Sequence, residues 1–471
     1  MDSLKITLVA ENKERRKSRN RLDLYEDKQV KKVGRIIAEK LALRYDAVEL
    51  DIQLLTDELE EIRERNRLRT LENDKSTKVI LPLERQQKCR DFLKLPNLLK
   101  RINELIGQAG VVGESNNRLL LFVVASSYKM SHTLHALIQG ASGSGKTRLL
   151  KIISQMMPEE DVKKYTRVTD GGFYNQPEHF FVNKLLCLED MDGLKEEAQL
   201  AARELISNEI LITATSIKDE NGAIQGGERI VRGPVASLAC TTKADIYEDN
   251  ISRCFVVAVD ESKAQSLRVI EYQNKVHAGI IDRDKEPQIK AFLRDCMRML
   301  KPCQVINPYA HKIHLPEDAH KIRRLNELYQ NFVQQITILN QYQRKTDAKG
   351  RLITEKTDLQ MACNILFESI VLKVDELDGS LRQFFEKLKK HAKSKSKTHQ
   401  NYEFDRFEIR QATGVSKTQQ HRYMKALVQM EYLHQRGFAN RGYQYKIAHW
   451  DNMTALRNRL KSDLQNQLNS L

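Results

Sequence analysis

Residues 134–153, LHALIQGASGSGKTRLLKII, decide the fold of this chain. Within this stretch, residues 140–147 match the pattern G-x-x-x-x-G-K-[ST], with an apolar strand before the pattern and an amphipathic helix after it. Glycines at these positions let the backbone curl so that its N–H groups point at phosphate oxygens, and the following helix adds the positive end of its dipole. The stretch therefore predicts a phosphate-binding loop between a strand and a helix.

The residues of this loop predict a site for ATP with Mg²⁺. The Lys146 ammonium is placed to meet the β- and γ-phosphate oxygens, and the Thr147 hydroxyl is placed to bind magnesium. The predicted nucleotide-binding residues of the loop are Gly140, Ser142, Gly143, Ser144, Gly145, Lys146 and Thr147. A glycine turn with only a structural role is the alternative, and the strand and helix on either side of the loop argue against it.

An acidic strand follows the loop. The segment NKLLCLEDMDG, residues 183–193, predicts a buried strand that ends in Glu189, Asp190 and Asp192. Acids at the end of a strand beside a phosphate loop hold magnesium and polarise water in phosphoryl-transfer enzymes. An apolar run followed by acids is a common pattern, but its position after the glycine-rich loop makes it informative.

The segments that follow predict further strands. Residues 210–217 and 227–232 alternate like strands around a turn-rich stretch, which predicts a β-hairpin. Residues 234–242 predict a buried strand ending in two threonines, and Arg253 stands directly before another apolar run. Because short apolar runs alternate with helices from residue 134 to residue 261, we predict an α/β fold with a parallel sheet.

The order of these motifs resembles that of AAA+ ATPases. Within that group the chain resembles helicases of the minichromosome-maintenance type, and it is similar to the helicase part of the zinc-finger primase-helicases of phages and mobile elements. The sequences that carry the resemblance are VASSYKMSHTLHALIQGASGSGKT (124–147), RGPVASLACTT (232–242), ISRCF (251–255) and the C-terminal segment 402–448.

The resemblance implies roles for the loop and for the acidic strand. Lys146 and Thr147 correspond to the Walker A pair. Glu189 and Asp190 correspond to the Walker B acids, which bind magnesium and activate water. The family has the order Asp-Glu where this chain has Glu-Asp, so the shorter Asp190 implies slow turnover or a role shared with Glu189.

The resemblance also implies residues that sense or complete the nucleotide site. Thr241 or Thr242, with Thr242 as the assigned catalytic residue, corresponds to sensor 1, where this type usually has asparagine. Arg253 corresponds to an arginine finger that reaches the γ-phosphate in a neighbouring subunit. Arg323 or Arg324 corresponds to sensor 2 at the nucleotide. The alternative for each arginine is an ordinary surface position.

Residues 402–448 predict a winged helix-turn-helix. Two helices are separated by a tight turn, Ser416 caps the second helix, and a hairpin containing GFANRG follows. This fold places its second helix in the major groove and its wing over the DNA backbone. The predicted DNA-contacting residues, including one in a pore hairpin implied by the resemblance, are Lys218, Lys417, Thr418, Gln420, His421, Lys425 and Arg441. A role in docking a protein or in regulation is the alternative.

The fold class that results is α/β, an AAA+ P-loop core with a helical N-terminal region, a helical lid and a C-terminal winged helix-turn-helix. The predicted domains are an N-terminal strand and helical region (1–90), the ATPase core (91–262), a helical lid with connecting helices (263–383), a basic linker (384–400), the winged helix-turn-helix (401–450) and a C-terminal helix (451–471).

Composition limits the class of function. The 471 residues carry a net charge of +15, which favours a polyanion such as DNA as partner. The seven cysteines include no C-x-x-C pair, so reduced thiols are expected and neither disulfides nor a zinc site. Residues 1–20 contain no apolar core of signal-peptide length, and no stretch of about 18 apolar residues occurs in the sequence, which predicts a cytoplasmic protein with no membrane partner.

These observations predict an ATP-driven DNA helicase or translocase. The resemblance implies a ring, a homohexamer with single-stranded DNA in its pore, and a primase or another replication protein of a phage or mobile element as partner. A second hypothesis is an ATP-switched loader or regulator that assembles on DNA without unwinding it. A third, weaker one is a defence-related ATPase built from the same parts.

Overall fold

The chain is represented by a computed structural model. It describes residues 3–12, 14–74, 79–218, 224–242, 253–317, 319, 322–375, 377, 379–396, 398–438 and 442–471. Side chains are described for the same residues except 64–74, 216–218, 224–225, 372–373 and 379. The chain divides into two compact units, one comprising residues 1–80 and 213–228 and the other residues 81–212 and 229–471.

The first unit contains a hairpin and two helices. Strand β1 (Lys5–Glu11) pairs antiparallel with β2 (Lys17–Asp23), and helices α1 (Asp27–Leu41) and α2 (Tyr45–Asp74) follow. The predicted strand and helical region are confirmed. The predicted domain end at residue 90 is wrong, because α3 (Leu83–Leu93) belongs to the second unit.

A five-stranded parallel sheet forms the centre of the second unit. Its strands are β3 (His135–Gln139), β4 (Val162–Tyr165), β5 (Lys184–Leu188), β8 (Val235–Thr241) and β9 (Phe255–Ala258). They lie in the order β4-β5-β8-β3-β9, and every neighbouring pair is parallel. The carboxyl ends of these strands therefore meet at one edge, which confirms the α/β prediction.

Helices cover both faces of this sheet. Because successive strand residues point to opposite faces, Leu185 and Cys187 join one hydrophobic cluster while Leu186 and Leu188 join another. The first face packs against α5 (Ser115–Ala125) and α6 (Lys146–Ser154), and the second against α7 (Glu196–Asn208). Burial on both faces explains why these strands read as short continuous apolar runs.

The helices after the sheet extend the first of these clusters. They are α8 (Lys263–His277), α9 (Lys285–Met299), α10 (Ile322–Leu339) and α11 (Lys356–Val374). Buried residues of the last three, such as Leu293, Phe332 and Leu366, lie in the same cluster as α5 and α4 (Leu98–Gln108). The region 263–383 is mostly helical, as predicted, and its role as a lid with connecting helices stays a prediction. The short strands β10 (Val305–Ile306) and β11 (Leu352–Ile353) pair between these helices.

The predicted hairpin is present as a two-stranded sheet. Strand β6 (Ile210–Lys218) pairs with β7 (Ile224–Arg232). Residues 219–223 and the side chain of Lys218 lie outside the described residues. The predicted contact of Lys218 with DNA therefore stays a prediction.

A small C-terminal domain follows α11. It contains α12 (Gly379–Lys395), β12 (Glu403–Asp405), α13 (Arg406–Thr413), α14 (Lys417–Gln429), β13 (Leu433–Phe438) and β14 (Gly442–Ile447), with strand order β12-β14-β13. Helix α15 (Met453–Asn469) comes last and packs on α11. Among the described residues, none of the helices combines the length and the apolarity that crossing a bilayer requires.

The predicted linker at 384–400 is wrong. Residues 384–395 belong to α12, and Phe384, Phe385, Leu388 and Ala392 are buried against α14 and the strands of the small domain. The Lys389 ammonium lies 2.7 Å from the Asp451 carboxylate, so even a lysine of this basic stretch is fixed in the fold. Apolar residues at helical spacing outweigh the lysines and serines around them.

Candidate nucleotide-binding site

The glycine-rich loop joins the carboxyl end of β3 to the start of α6. Gly143 and Gly145 have φ angles of 79° and 98°, which glycine adopts without strain. At Gly140 a Cβ atom would lie 2.4 Å from Val259 Cγ2 and 2.8 Å from Ser144 Oγ. Gly140 is therefore required by the space available, and Gly143 and Gly145 by their backbone conformation.

Lys146 is curled over the loop. The residue is 7% exposed. Its ammonium donates to the carbonyl oxygens of Gly140 at 2.8 Å and Ala141 at 2.7 Å. Burial lowers the pKa of Lys146 below its ordinary value, because a desolvated ammonium is less stable as a cation. A phosphate oxygen that replaced these carbonyls would supply a full negative charge to a poorly solvated cation.

Asp192 joins the acidic loop to the end of the neighbouring strand β8. Its carboxylate accepts from the Thr241 hydroxyl at 2.6 Å, the Thr242 amide at 2.6 Å and the Thr242 hydroxyl at 2.8 Å. Asp190 in turn accepts from the amides of Asp192 and Gly193 at 3.1 and 3.2 Å. The sequence prediction did not assign Asp192 a role, although it is one of the three acids that end the acidic strand.

Glu189 is held by two lysines. Its carboxylate lies 3.2 Å from Lys151 Nζ on α6 and 3.4 Å from Lys164 Nζ on β4, and its side chain is 13% exposed. Both carboxylate oxygens are thus engaged in ion pairs. The predicted role of Glu189 in binding magnesium stays a prediction, and it would require these ion pairs to rearrange.

Glu261 is a site residue that the sequence prediction missed. It follows β9, and its carboxylate accepts a hydrogen bond from the Ala141 amide of the glycine-rich loop. The charges of Glu261, Asp192 and Asp190 all raise the pKa of Lys146 and so oppose the effect of burial. The signal in the sequence was the pair Asp260-Glu261 at the end of a strand. Its importance depends on β9 lying beside β3, which spacing alone does not reveal.

The residues present fit a nucleotide with magnesium. Ser144 Oγ is buried and has no hydrogen-bond partner among the described residues, so it is open to a ligand oxygen. Thr147, with Asp190 and Asp192, would supply oxygen ligands of the kind that Mg²⁺ prefers. In the described part of the chain, no group of three or more His, Cys, Asp or Glu side chains could hold a metal ion.

Arg253 and Arg324 lie together at the opposite edge of the sheet. They line one polar cavity of about 450 Å³, next to His135 at the first position of β3. The five residues of β3, at about 3.3 Å each, separate this edge from the glycine-rich loop by roughly 15 Å. Neither arginine therefore reaches the loop of its own chain. Arg323 is exposed and is not among the residues lining this cavity.

His135 lies in the wall of this cavity. Burial and the charge of Arg253 lower the pKa of His135 to about 3, and its Nδ1 lies 3.0 Å from the Ser237 hydroxyl. The imidazole is consequently neutral at ordinary pH. Because His135 is neutral, the positive charge in this cavity comes from Arg253 and Arg324.

The predicted DNA-contacting residues of α14 divide into two groups. Lys417, Thr418, His421 and Lys425 are exposed. The prediction for Gln420 is wrong, because its side chain is 3% exposed and its amide donates to the Arg406 carbonyl at 2.6 Å. Arg441 lies outside the described residues.

Comparison with known protein families supports the nucleotide site. Residues 79–302 match the family model described as the MTBMA_p00010 P-loop domain. This chain contains a P-loop NTPase domain. The matched range, slightly less than half of the chain, includes the glycine-rich loop, the acidic strand, Thr242 and Arg253. A comparison with curated proteins found no match.

Proposed function

We propose that the P-loop domain is the motor of an ATP-driven DNA helicase or translocase of AAA+ type, acting as a homohexameric ring. Its setting would be the replication of a phage or mobile element, with a primase as partner, as the resemblance of the motifs implies. The observation that carries the proposal is the position of Arg253, at the sheet edge opposite the loop of its own chain. An arginine there can serve ATP only if it reaches a neighbouring subunit.

The strand order supports the AAA+ assignment. Strand β8 lies between β3, which leads into the loop, and β5, which leads into the acids. Thr242 at the end of β8 is thereby set between the phosphates and the acidic loop, the position that a sensor of the γ-phosphate needs. Asp192 fixes its amide and hydroxyl, so the threonine is oriented before substrate binds.

Each part of the site has a task in ATP hydrolysis. The loop amides and Lys146 bind the phosphates, and Asp190 accepts the proton of the attacking water or orients it. Thr147 and the acids would hold magnesium, which would supply positive charge beside the phosphate oxygens. Arg253 from the adjacent subunit would stabilise the charge that develops in the transition state.

The DNA part of the proposal rests on charge and on the small domain. The net charge is +15, and α14 exposes Lys417, Thr418, His421 and Lys425 on a helix that follows a tight turn. Strand β13 is exposed from His434 to Phe438, as a wing projecting from the domain would be. Together with a hairpin of β6 and β7 that grips single-stranded DNA in the pore, these elements would bind phosphates in a salt-sensitive manner.

A subunit-mixing experiment tests the shared site. Lys146→Ala and Arg253→Ala variants should each lose ATP hydrolysis. In mixed rings some interfaces combine an intact Lys146 from one subunit with an intact Arg253 from the next, so mixing the two inactive variants should restore part of the activity. If the mixture stays as inactive as its components while the variants still assemble, Arg253 does not act across an interface.

An ATP-switched loader or regulator is the second candidate. It is favoured by the engagement of both oxygens of Glu189 with Lys151 and Lys164, and by the short side chain of Asp190, which together point to slow hydrolysis. A slowly hydrolysing site suits a switch better than a motor. Strand displacement separates the two candidates, because a loader binds DNA and ATP without unwinding.

A further inference from the structure

Helix α14 touches the nucleotide site directly. Arg422 Nη2 donates to the carbonyl oxygen of Thr242 at 3.1 Å, across 180 positions of sequence. The amide and the hydroxyl of the same threonine are held by Asp192. Thr242 is thus bound on one side by the acidic loop of the ATPase core and on the other by the small domain.

This contact uses the face of α14 that the proposed DNA interaction needs. Thr418, His421, Arg422 and Lys425 are spaced i, i+3, i+4 and i+7, so they share one side of the helix, and all four are exposed. Tyr423, Met424 and Leu427 on the other side are buried. The exposed face is the only polar face that the described helix can offer to a groove.

A DNA groove and Thr242 cannot occupy this face together. The Thr242 carbonyl oxygen, 3.1 Å from Arg422 Nη2, places backbone of the ATPase core against the middle of the exposed face of α14. A helix that enters the major groove, about 12 Å wide, has base edges or phosphates at that position instead. The small domain is also seated at this edge through α12, where Gln383 Nε2 donates to the Val259 carbonyl at 3.4 Å.

We propose that Arg422 is a positioning residue that couples DNA binding to the ATPase site. This proposal rests on the proposed function above and adds a mechanism by which DNA regulates the ATPase site. In the conformation described here Arg422 holds Thr242, and DNA that binds α14 withdraws Arg422 from that carbonyl. Among its described contacts, Thr242 then loses the one from Arg422 and keeps those to Asp192, so its backbone is held less tightly and the sensor position changes with DNA occupancy.

Steady-state ATP hydrolysis with and without duplex DNA tests this coupling. If DNA acts by removing Arg422 from Thr242, then Arg422→Ala without DNA should have the kcat of DNA-saturated wild type, within about twofold, and should no longer respond to DNA. Arg422→Lys keeps a cationic donor and should retain part of the response. An Arg422→Ala variant whose kcat differs from that of DNA-saturated wild type, or which responds to DNA like wild type, overturns the proposal.

Lys425→Ala is the matched control. It removes one positive charge from the same face, three residues from Arg422, but no contact of Lys425 with Thr242 exists among the described residues. It should raise the DNA concentration needed for half-maximal effect. Lys349→Ala, which removes an exposed lysine outside the small domain, is the variant expected to leave the DNA-free kcat and KM as in wild type. If Lys425→Ala also reproduces the DNA-saturated kcat, the effect is one of charge and the proposal fails.

Hydrogen exchange gives a readout that does not depend on hydrolysis. In wild type, adding duplex DNA should speed exchange at the Thr242 amide, which donates to Asp192. In Arg422→Ala the exchange should already be fast and insensitive to DNA. Unchanged exchange in wild type at saturating DNA contradicts the coupling, whereas a wild type that shows the exchange effect but never hydrolyses ATP refutes only the function proposed above.

Discussion

The carboxylate of Asp192 accepts hydrogen bonds from both the amide and the hydroxyl of Thr242, at 2.6 and 2.8 Å. Asp192 lies in the loop after β5 and Thr242 directly follows β8, 50 positions apart in sequence. Their pairing joins the acidic loop to the end of strand β8. The position of Thr242, the proposed sensor, therefore depends on an acid that is neither Glu189 nor Asp190.

Replacing Asp192 should damage catalysis more than binding. In Asp192→Asn the amide group can accept from the Thr242 amide, but it no longer accepts from both threonine hydroxyls with a full charge. We expect kcat for ATP to fall by about tenfold to a hundredfold, as for a misplaced positioning group, with little change in ATP affinity. Steady-state kinetics and nucleotide binding measure the two effects. The exposed Glu197→Gln on α7 is the control, and an unchanged kcat in Asp192→Asn contradicts the assignment.

His135 should make the fold sensitive to mild acid. In the unfolded chain it takes up a proton near its ordinary pKa of about 6.5, whereas in the fold its pKa is lowered to about 3 by burial. Its contribution to stability is therefore complete above pH 6.5 and is lost progressively as the pH falls from 6.5 towards 3. Between pH 7 and pH 5 the free energy of unfolding should drop by about 2 kcal/mol on account of this group.

Urea unfolding at several pH values measures this effect. His135→Asn should flatten the pH dependence between pH 7 and pH 5 relative to wild type, because asparagine does not titrate there. Equal slopes for wild type and His135→Asn would show that the imidazole is not held neutral.

Charges on α14 should contribute to DNA affinity through phosphate contacts. Lys425→Ala is expected to weaken duplex binding and to lower the slope of log affinity against log salt by about 1, the amount for one lost phosphate contact. Fluorescence anisotropy over a salt series measures it. Lys349→Ala, an exposed lysine outside the small domain, is the control. If both variants have the wild-type slope, α14 does not contact phosphates.

The elements that were predicted correctly from sequence are those whose signal is local. The strand, loop and helix around Lys146 follow from glycines and apolar spacing within twenty residues. Strand β2, KSRNRLD, was missed because its residues are mostly polar and its pairing with β1 depends on a partner strand. The predicted linker at 384–400 was wrong because Phe385, Leu388 and Ala392 lie at helical spacing and are buried, whereas the lysines between them are compatible with either a helix or a linker.

The candidate site was predictable only in part, for a related reason. Glu261 and Asp192 act on the loop and on Thr242 across strand neighbours, and strand order is not encoded in the spacing of motifs. The prediction that Gln420 contacts DNA failed for a different reason. Gln420 lies three residues before Tyr423 and seven before Leu427. That spacing places it on the buried side of α14, so the sequence did contain the signal.

Strand displacement on a forked DNA tests the central claim most directly. Wild type should separate the strands in the presence of ATP and magnesium, and Lys146→Ala and Arg253→Ala should both fail while remaining folded and able to bind DNA. Because Lys146 is proposed to bind the phosphates of its own chain and Arg253 to reach those of a neighbour, loss in both variants would tie unwinding to a site shared between subunits. A wild type that hydrolyses ATP with DNA present, yet never separates the strands, would contradict the helicase account and leave the ATP-switched loader.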